Sequence, residues 1–480
     1  MPAATQPYNI VCICLDSLRR DHLGANGNTW ISTPNLDRFA AQATVFDRAY
    51  IGSCPTIPCR TDLFTGVTTW PQRGWTPLPQ DTPVLSTLFG RRGYTTALIA
   101  DTYHLFRDGH YFDRGFRTWQ WIRGQEGDRC IPDLSHTITL PAAPEKLRNA
   151  ERIRTIYLPK TAERRSEADY FAPQTMTTAL RWLERNRNMQ PLLLWIDEFD
   201  PHEPWDPPQH YVDMYDPGYA GEEVIAPRYG PADYLSPAEL RHVRALYAGE
   251  VTMVDRWVGR VLNAIDDFGL RERTIVVVLS DHGHYLDYPG DHGLIGKPAP
   301  LFEGVAHQNL LLRHPAGLAA GQRLQALVQP VDLLPTLLDL TGGDPPPQGD
   351  GRSLAPLLQG QPAADRDIAI SIQHRSSPTI TSADWSFVFV PDSTAGQPGG
   401  GDTNQLVKPG GGRWTSMLFD LREDPLQQHN VLADHQQEAR DLYAAFAAFL
   451  KQRNPSALDL YPAPEWWSGA GPGTQRRTLR

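Results

Sequence analysis

Thr56 and Arg60 stand one helical turn apart in the stretch Gly52-Ser53-Cys54-Pro55-Thr56-Ile57-Pro58-Cys59-Arg60-Thr61-Asp62-Leu63-Phe64-Thr65-Gly66, after a β-prone run from Thr44 to Ile51. Pro58 is favourable in a first helical turn and Gly66 suits a helix end, so the stretch reads as a loop opening a short helix. An anion held against Thr56 would meet backbone N–H groups that lack intrahelical partners. The Arg60 guanidinium would add a fixed, bidentate positive charge. From these residues alone, the Thr56 hydroxyl is either a helix cap or the reactive group of an anion site.

Other polar groups close nearly unbroken apolar runs. Tyr8 to Leu15 ends in Asp16, Thr274 to Leu279 runs into Ser280-Asp281-His282-Gly283, and Pro191 to Phe199 leads to Asp200-Pro201-His202. Such runs are strands buried on both faces of a parallel sheet, and active groups gather at their carboxyl ends. Asp16 is there either a turn cap or a functional carboxylate. Adjacent Asp281 and His282 can both face one cation, supplying a hard oxygen and a borderline nitrogen. His202 suits proton transfer because an unperturbed imidazole titrates near neutrality. The strand from Tyr94 to Ala100 likewise ends in Asp101-Thr102-Tyr103-His104.

The elements that must position these groups follow a βαβ rhythm. Helices are expected from Thr33 to Ala40, Pro83 to Arg92 and Phe171 to Arg187. Ser236-Pro237-Ala238-Glu239 is a capping box that launches a long helix, whose stripe of Leu240, Val243, Tyr247, Val251, Val254, Val258, Val261 and Ile265 lasts until Gly269. The fold class is therefore α/β, a mostly parallel central sheet sandwiched by helices. From Trp119 to Arg165 periodicity is lost among Arg, Pro and aromatic residues, and an insertion over about 119–168 is expected to wall the site or support self-association. The Pro/Gly-rich Thr341 to Gly351 marks a boundary. Short β-like runs (Ile368 to Gln373, Trp385 to Pro391, Trp414 to Leu421), a Gly-rich loop (Ala395 to Gly412) and a helix from Ala433 to Lys451 follow. The division is a catalytic domain over 1–345, a C-terminal α+β subdomain over 352–460 and a tail over 461–480.

The 480 residues are 40% hydrophobic and carry a net charge of −10, which argues against a sequence-independent grip on nucleic acid or an anionic membrane. Cys12, Cys14, Cys54, Cys59 and Cys130 are scattered and odd in number, favouring a reducing compartment over a disulfide framework. The start Met-Pro-Ala-Ala-Thr-Gln-Pro has neither a basic region nor an apolar one, and a cytoplasmic protein is expected.

The stretch around Thr56 resembles the active-site signature of the sulfatase branch of the alkaline phosphatase superfamily. Pro58, Arg60 and Leu63-Phe64-Thr65-Gly66 align with it, and Thr56 falls where sulfatases carry the Cys that becomes formylglycine. Cys54 and Cys59 stand at the wrong distances from Arg60 to replace it. Thr33-Pro34-Asn35-Leu36-Asp37-Arg38-Phe39-Ala40, the Pro201-His202-Glu203-Pro204 string, Ser280-Asp281-His282-Gly283 with His292-Gly293-Leu294-Ile295-Gly296-Lys297, and Leu418 to Asp434 resemble further elements of the family. The resemblance implies that Asp16, Asp281 and His282, with Thr56, bind a divalent metal at a single site. It also implies that Arg60 and Lys297 face the substrate's anionic oxygens and that His202 protonates the leaving group. Thr102, Tyr103 and His104 lie where relatives contact substrate and serve equally well as a structural loop. His307 stands where the family usually has Arg, and its role is open. The C-terminal part is implied to be a small antiparallel sheet with one helix.

Many sulfatases have a second Asp where this chain has Ser17, so manganese or zinc is favoured, with calcium as an alternative. The implied function is a metal-dependent hydrolase of phosphate diesters or phosphonate monoesters, using a Thr nucleophile and a covalent phospho-enzyme. The alternatives are a sulfuric ester hydrolase of the sulfatase type, a phosphotransferase, or a lapsed enzyme that only binds anions. The partner implied is a small anionic ester, with homo-oligomerisation left open.

Overall fold

The apolar runs become the centre of an eight-stranded sheet. The computed structural model describes residues 7–135, 138–346, 348–362, 366–391, 408–464 and 467. Strands β1 (Asn9–Leu15), β2 (Thr44–Ala49), β3 (Thr95–Ala100), β4 (Thr118–Trp121), β5 (Leu192–Glu198), β6 (Thr274–Ser280), β7 (Leu310–Arg313) and β8 (Arg323–Val328) lie in the order β8-β2-β7-β6-β1-β5-β3-β4. β1 is parallel to β5 and β6, and all three are buried along their whole length, as strands covered on both faces must be. β7 runs antiparallel to its neighbours β6 and β2.

Register builds the site. Leu15 lies level with Glu198 and Ser280, and Ala100 with Asp197. Asp16, Asp281, Asp101 and the segment from Asp197 to His202 therefore emerge along one edge of the sheet, at the carboxyl ends of parallel strands.

The helices are α1 (Pro34–Ala40), α2 (Thr56–Thr65), α3 (Leu85–Arg91), α4 (Phe171–Asn186), α5 (Pro237–Asp267) and α6 (Leu333–Leu340). β1 sends Val11, Ile13 and Leu15 into the core shared with α4 and α5, and Ile10, Cys12 and Cys14 into the core shared with α2, α3 and α6. Each large aliphatic side chain so buried contributes about 1.5–3 kcal/mol. α5 begins at the expected capping box, with Ser236 Oγ accepting from the Glu239 N–H at 3.3 Å. Its buried Asp255 accepts from the Leu36 N–H at 2.7 Å and from Asn35, fastening the start of α1.

Trp119 to Trp121, expected to open the insertion, belong instead to the edge strand β4, parallel to β3. The irregular segment starts beyond it. Strands β9 (Ala369–Gln373), β10 (Thr379–Thr381), β11 (Trp385–Val388) and β12 (Met417–Asp420) form the smaller antiparallel sheet, packed against helix α7 (Gln436–Arg453). The end of β9 pairs with Ser53–Cys54, tying this sheet to the residues that lead into α2. Most of the Gly-rich loop and nearly all of the tail lie outside the described residues. No helix among the described residues is long and apolar enough to cross a membrane.

Candidate active site

α2 opens at Thr56, with Pro55 in the capping position and no side-chain cap. The hydroxyl is thus not the helix cap that the sequence allowed. Thr61 and Thr65 of the same helix bond back to the carbonyls of Ile57 and Thr61, whereas the 2% exposed Thr56 makes no side-chain hydrogen bond among the described residues. It stands free at a helix N-terminus, where the partial positive charge of unpaired amides favours an anion.

Asp16, Asp281 and His282 are fully buried, and their ligand atoms all lie within 4.8 Å of one another. Asp281 Oδ1 accepts from the backbone N–H groups of Ser17 (3.0 Å) and His282 (2.7 Å), which fixes the carboxylate. His282 Nδ1 lies 2.9 Å from the Gly283 carbonyl, so Nδ1 carries the proton and Nε2 is bare. Burial pushes this imidazole down to about 4, keeping it neutral. Its Nε2 is sealed from solvent without a hydrogen-bond partner, and Asp16 Oδ2, equally sealed, has only the Arg60 guanidinium beside it. Two buried carboxylates and an imidazole nitrogen that no donor reaches, converging within 4.8 Å, fit a divalent metal.

Arg60 is wholly buried. Its Nη2 and Nε grip Asp197 at 2.9 and 3.3 Å, while Nη1 lies 3.1 Å from Asp16 Oδ2 and closer still to Asp281 Oδ2. Burial opposes its charge, but Asp197 and Asp281 more than compensate and hold it protonated. Its contacts are thus with the carboxylates that frame the metal site. Thr102 Oγ1 donates to Asp197 at 2.7 Å, so it positions the partner of Arg60.

Lys297 is equally enclosed: Nζ lies 3.1 Å from Glu203 Oε2, 3.2 Å from Ser17 Oγ and 3.3 Å from His284 Nδ1. Ser17 holds a left-handed backbone (φ 63°), and its hydroxyl donates to Asp16 Oδ1 at 2.8 Å, linking Lys297 to a metal-site carboxylate. Tyr247 Oη secures the turn, accepting from Arg19 N–H and donating to Ser17 O, each at 2.8 Å. Glu203 also binds Arg148 at 2.8 Å and the Tyr229 hydroxyl. Burial would raise the Glu203 carboxyl, but surrounding charges, Lys297 and Arg148 among them, hold it well below the usual range.

His202 stacks on Phe199 with ring centroids 4.1 Å apart, and its Nδ1 lies 2.5 Å from the Glu203 carbonyl. Burial pushes the imidazole down to about 4, so at neutral pH Nδ1 carries the proton and Nε2 is an acceptor. His104 also lies near Phe199, with ring centroids 5.9 Å apart, pairs with Glu126 at 3.1 Å and makes a T-shaped contact with the exposed Trp75 ring. Tyr103 supports the same loop, its hydroxyl accepting from Arg107 at 3.2 Å. Glu126, Arg148 and Arg152 come from the segment after β4, which thereby reaches Glu203 through Arg148 and His104 through Glu126. His307 lies apart from this cluster, stacked on Tyr50 and bonded to Glu303 and the Asp47 carbonyl as scaffold.

Glu203, His284, Asp197, Arg148 and Tyr229 are the site residues that sequence reasoning missed. Asp197 and Glu203 carried a signal, being acidic residues beside a strand end and beside His202. Arg148 and Tyr229 carried none, because only the fold brings them to Glu203.

A metal-fitting centre at the carboxyl edge of this sheet, flanked by a helix N-terminus and buried cations, defines a metal-dependent hydrolase of sulfuric or phosphoric esters. Residues 8–343 match the Sulfatase family, and the chain belongs to it, in the sulfatase branch of the alkaline phosphatase superfamily. The arylsulfatase of Clostridium perfringens is 26% identical over 394 residues, 75% of this chain and 80% of that one. The multifunctional alkaline phosphatase superfamily protein PehA of Trinickia caryophylli is 27% identical over 530 residues, 94% of each chain. Among solved structures, the phosphonate monoester hydrolase of Agrobacterium radiobacter shares the fold with a TM-score of 0.68 at 21% identity, covering 94% of this chain and 95% of that one.

Proposed function

We propose that this enzyme hydrolyses phosphate diesters or phosphonate monoesters, with Thr56 as nucleophile. The observation that carries the reading is the Thr56 hydroxyl itself, unpaired at the N-terminus of α2, in a chain with no Cys at that position to become formylglycine.

Asp16, Asp281 and His282, with Thr56 completing the set, would hold a divalent ion, whose positive charge would acidify the Thr56 hydroxyl and polarise the phosphoryl oxygen. Thr56 Oγ1 forms a bond to phosphorus as the bond to the leaving oxygen breaks. The bare Nε2 of His202 takes the hydroxyl proton and gives it to the leaving oxygen. Water then attacks the phosphorylated Thr56, passing its proton to the same nitrogen and freeing the hydroxyl. Arg60, acting through Asp16 and Asp281, and Lys297, acting through Ser17, hold the site positive enough to receive an anionic ester.

The test is a set of rates on aryl phosphate diester, phosphonate monoester, phosphate monoester and sulfate ester, for the metal-loaded enzyme and its Thr56→Ala variant. The diester or phosphonate is turned over fastest, and Thr56→Ala loses about 10³-fold or more. A preference for sulfate ester supports the second reading, sulfuric ester hydrolysis, which the arylsulfatase relative favours.

A further inference from the structure

Behind the catalytic centre, Asp101, Glu198 and Asp200 bring carboxylate oxygens within 4.8 Å of one another, and all three side chains are buried. They belong to the sheet's carboxyl edge but not to the site above. The side chain of Asp197 turns to Arg60, and that of Glu198, the next residue along the strand, points to the other face.

The donors that reach this group are few. Asp101 Oδ1 accepts from the Phe199 N–H at 2.8 Å and its Oδ2 from Gln125 Nε2 at 3.5 Å, Asp200 accepts from Gln125 Nε2 at 2.6 Å and from the Ala172 N–H, and Glu198 Oε1 accepts from the Asp200 N–H at 3.4 Å. Glu198 Oε2 is sealed from solvent and no N–H or hydroxyl donor reaches it, its carboxyl lying instead within hydrogen-bonding reach of the Asp101 carboxyl. Arg164, whose charge reaches Asp200, is paired with Asp206 at 2.8 Å. A separate buried carboxyl, Glu250 of α5, gives Oε1 to the Asp206 N–H at 3.2 Å and leaves Oε2 without a partner, and the Asp200 charge acts on it. Carboxylates gathered at this density in a dry interior cost several kcal/mol unless a counter-charge or shared protons neutralise them.

We propose that Asp101, Glu198 and Asp200 hold a second divalent cation, in an all-oxygen site that takes calcium. The catalytic centre includes an imidazole and suits manganese or zinc; this group offers only hard oxygen donors, which suit calcium. Bound there, the ion joins the end of β3 to the turn that carries Phe199 and His202, and it holds the Gln125 segment against both. It is a structural ion that keeps the Phe199 ring, and with it His202, in place.

The experiment is equilibrium dialysis of the full chain against calcium, with the catalytic centre cleared by Asp281→Asn and His282→Ala and folding monitored by circular dichroism. This protein retains about one calcium per chain and melts several degrees higher with calcium than after chelation. Adding Glu198→Gln weakens calcium binding about tenfold or more, and Asp200→Asn does the same should the first variant fail to fold. Absence of calcium at millimolar concentration overturns the proposal. So does binding unchanged by either substitution, or a Glu198→Gln chain that melts higher in the absence of calcium, since that would mean the carboxyls share protons instead.

Discussion

Glu203 accepts a hydrogen bond from Lys297 at 3.1 Å, both side chains being 3% exposed, so the cation bonded to the Ser17 hydroxyl is held by a carboxylate of the loop that carries His202. Glu203→Gln keeps the shape of that contact and removes its negative charge. Inorganic phosphate should then inhibit about tenfold more tightly while kcat falls, because the site gains a net positive charge and Lys297 loses its anchor. Phosphate Ki and kcat, measured side by side, check this; unchanged Ki contradicts it.

Ser17 carries its hydroxyl between Asp16 and Lys297 from a left-handed backbone. Ser17→Ala loses both bonds and should weaken metal affinity about 10–100-fold, as removal of groups that orient a ligand generally does. Ser17→Gly relieves the backbone conformation yet restores none of that affinity. Metal retention on dialysis distinguishes the hydroxyl's role from a merely conformational one.

Burial sets the sign of the pH dependence. His202 is pushed down from 6.5 to about 4, and a metal ion nearby opposes its protonation further. The rate term kcat/KM therefore needs the neutral imidazole and stays level as pH falls to about 5, dropping only nearer 4. A limb centred near 6.5 contradicts the assignment. In the metal-free chain the same shift costs stability: between about 6.5 and 4 the unfolded chain takes a proton that the folded chain refuses, so stability falls as pH drops through that window. His202→Gln removes part of that acid sensitivity, which thermal melts at pH 7 and pH 5 will register.

Asp255 tests the scaffold separately from the chemistry. It is buried on α5 and accepts from the Leu36 and Asn35 groups at the start of α1. Asp255→Ala leaves those donors unpaired and should cost about 2 kcal/mol in denaturant unfolding. Values of kcat/KM for protein that remains folded stay within about twofold.

Strand ends and helix starts were legible because they obey local rules. The apolar runs before Asp16 and Asp281 are β1 and β6, and Ser236 with Glu239 opens α5 as expected. The Thr118–Trp121 strand was not, because an edge strand with half-exposed Trp and Gln residues lacks the continuous apolar signal of the central ones. Thr56, Arg60, His202 and Lys297 were legible as types, but what they touch was not. Arg60 and Lys297 were expected to face substrate; the packing of α2 brings Arg60 to Asp197, and Arg148 arrives to share Glu203 with Lys297. Such partners depend on contacts across 50 residues or more, as from Arg148 to Glu203 (|i−j|=55), which no local pattern encodes.

The most direct measurement is the mass of Thr56 itself. Acid quench of the metal-loaded enzyme during turnover of an aryl phosphonate or diester, followed by peptide mass analysis, should find the phosphorus-containing group on the peptide that contains Thr56. The Thr56→Ala chain should carry none and turn over about 10³-fold more slowly. An unmodified Thr56 peptide, together with full activity of Thr56→Ala, would contradict the account and leave water as the attacking group.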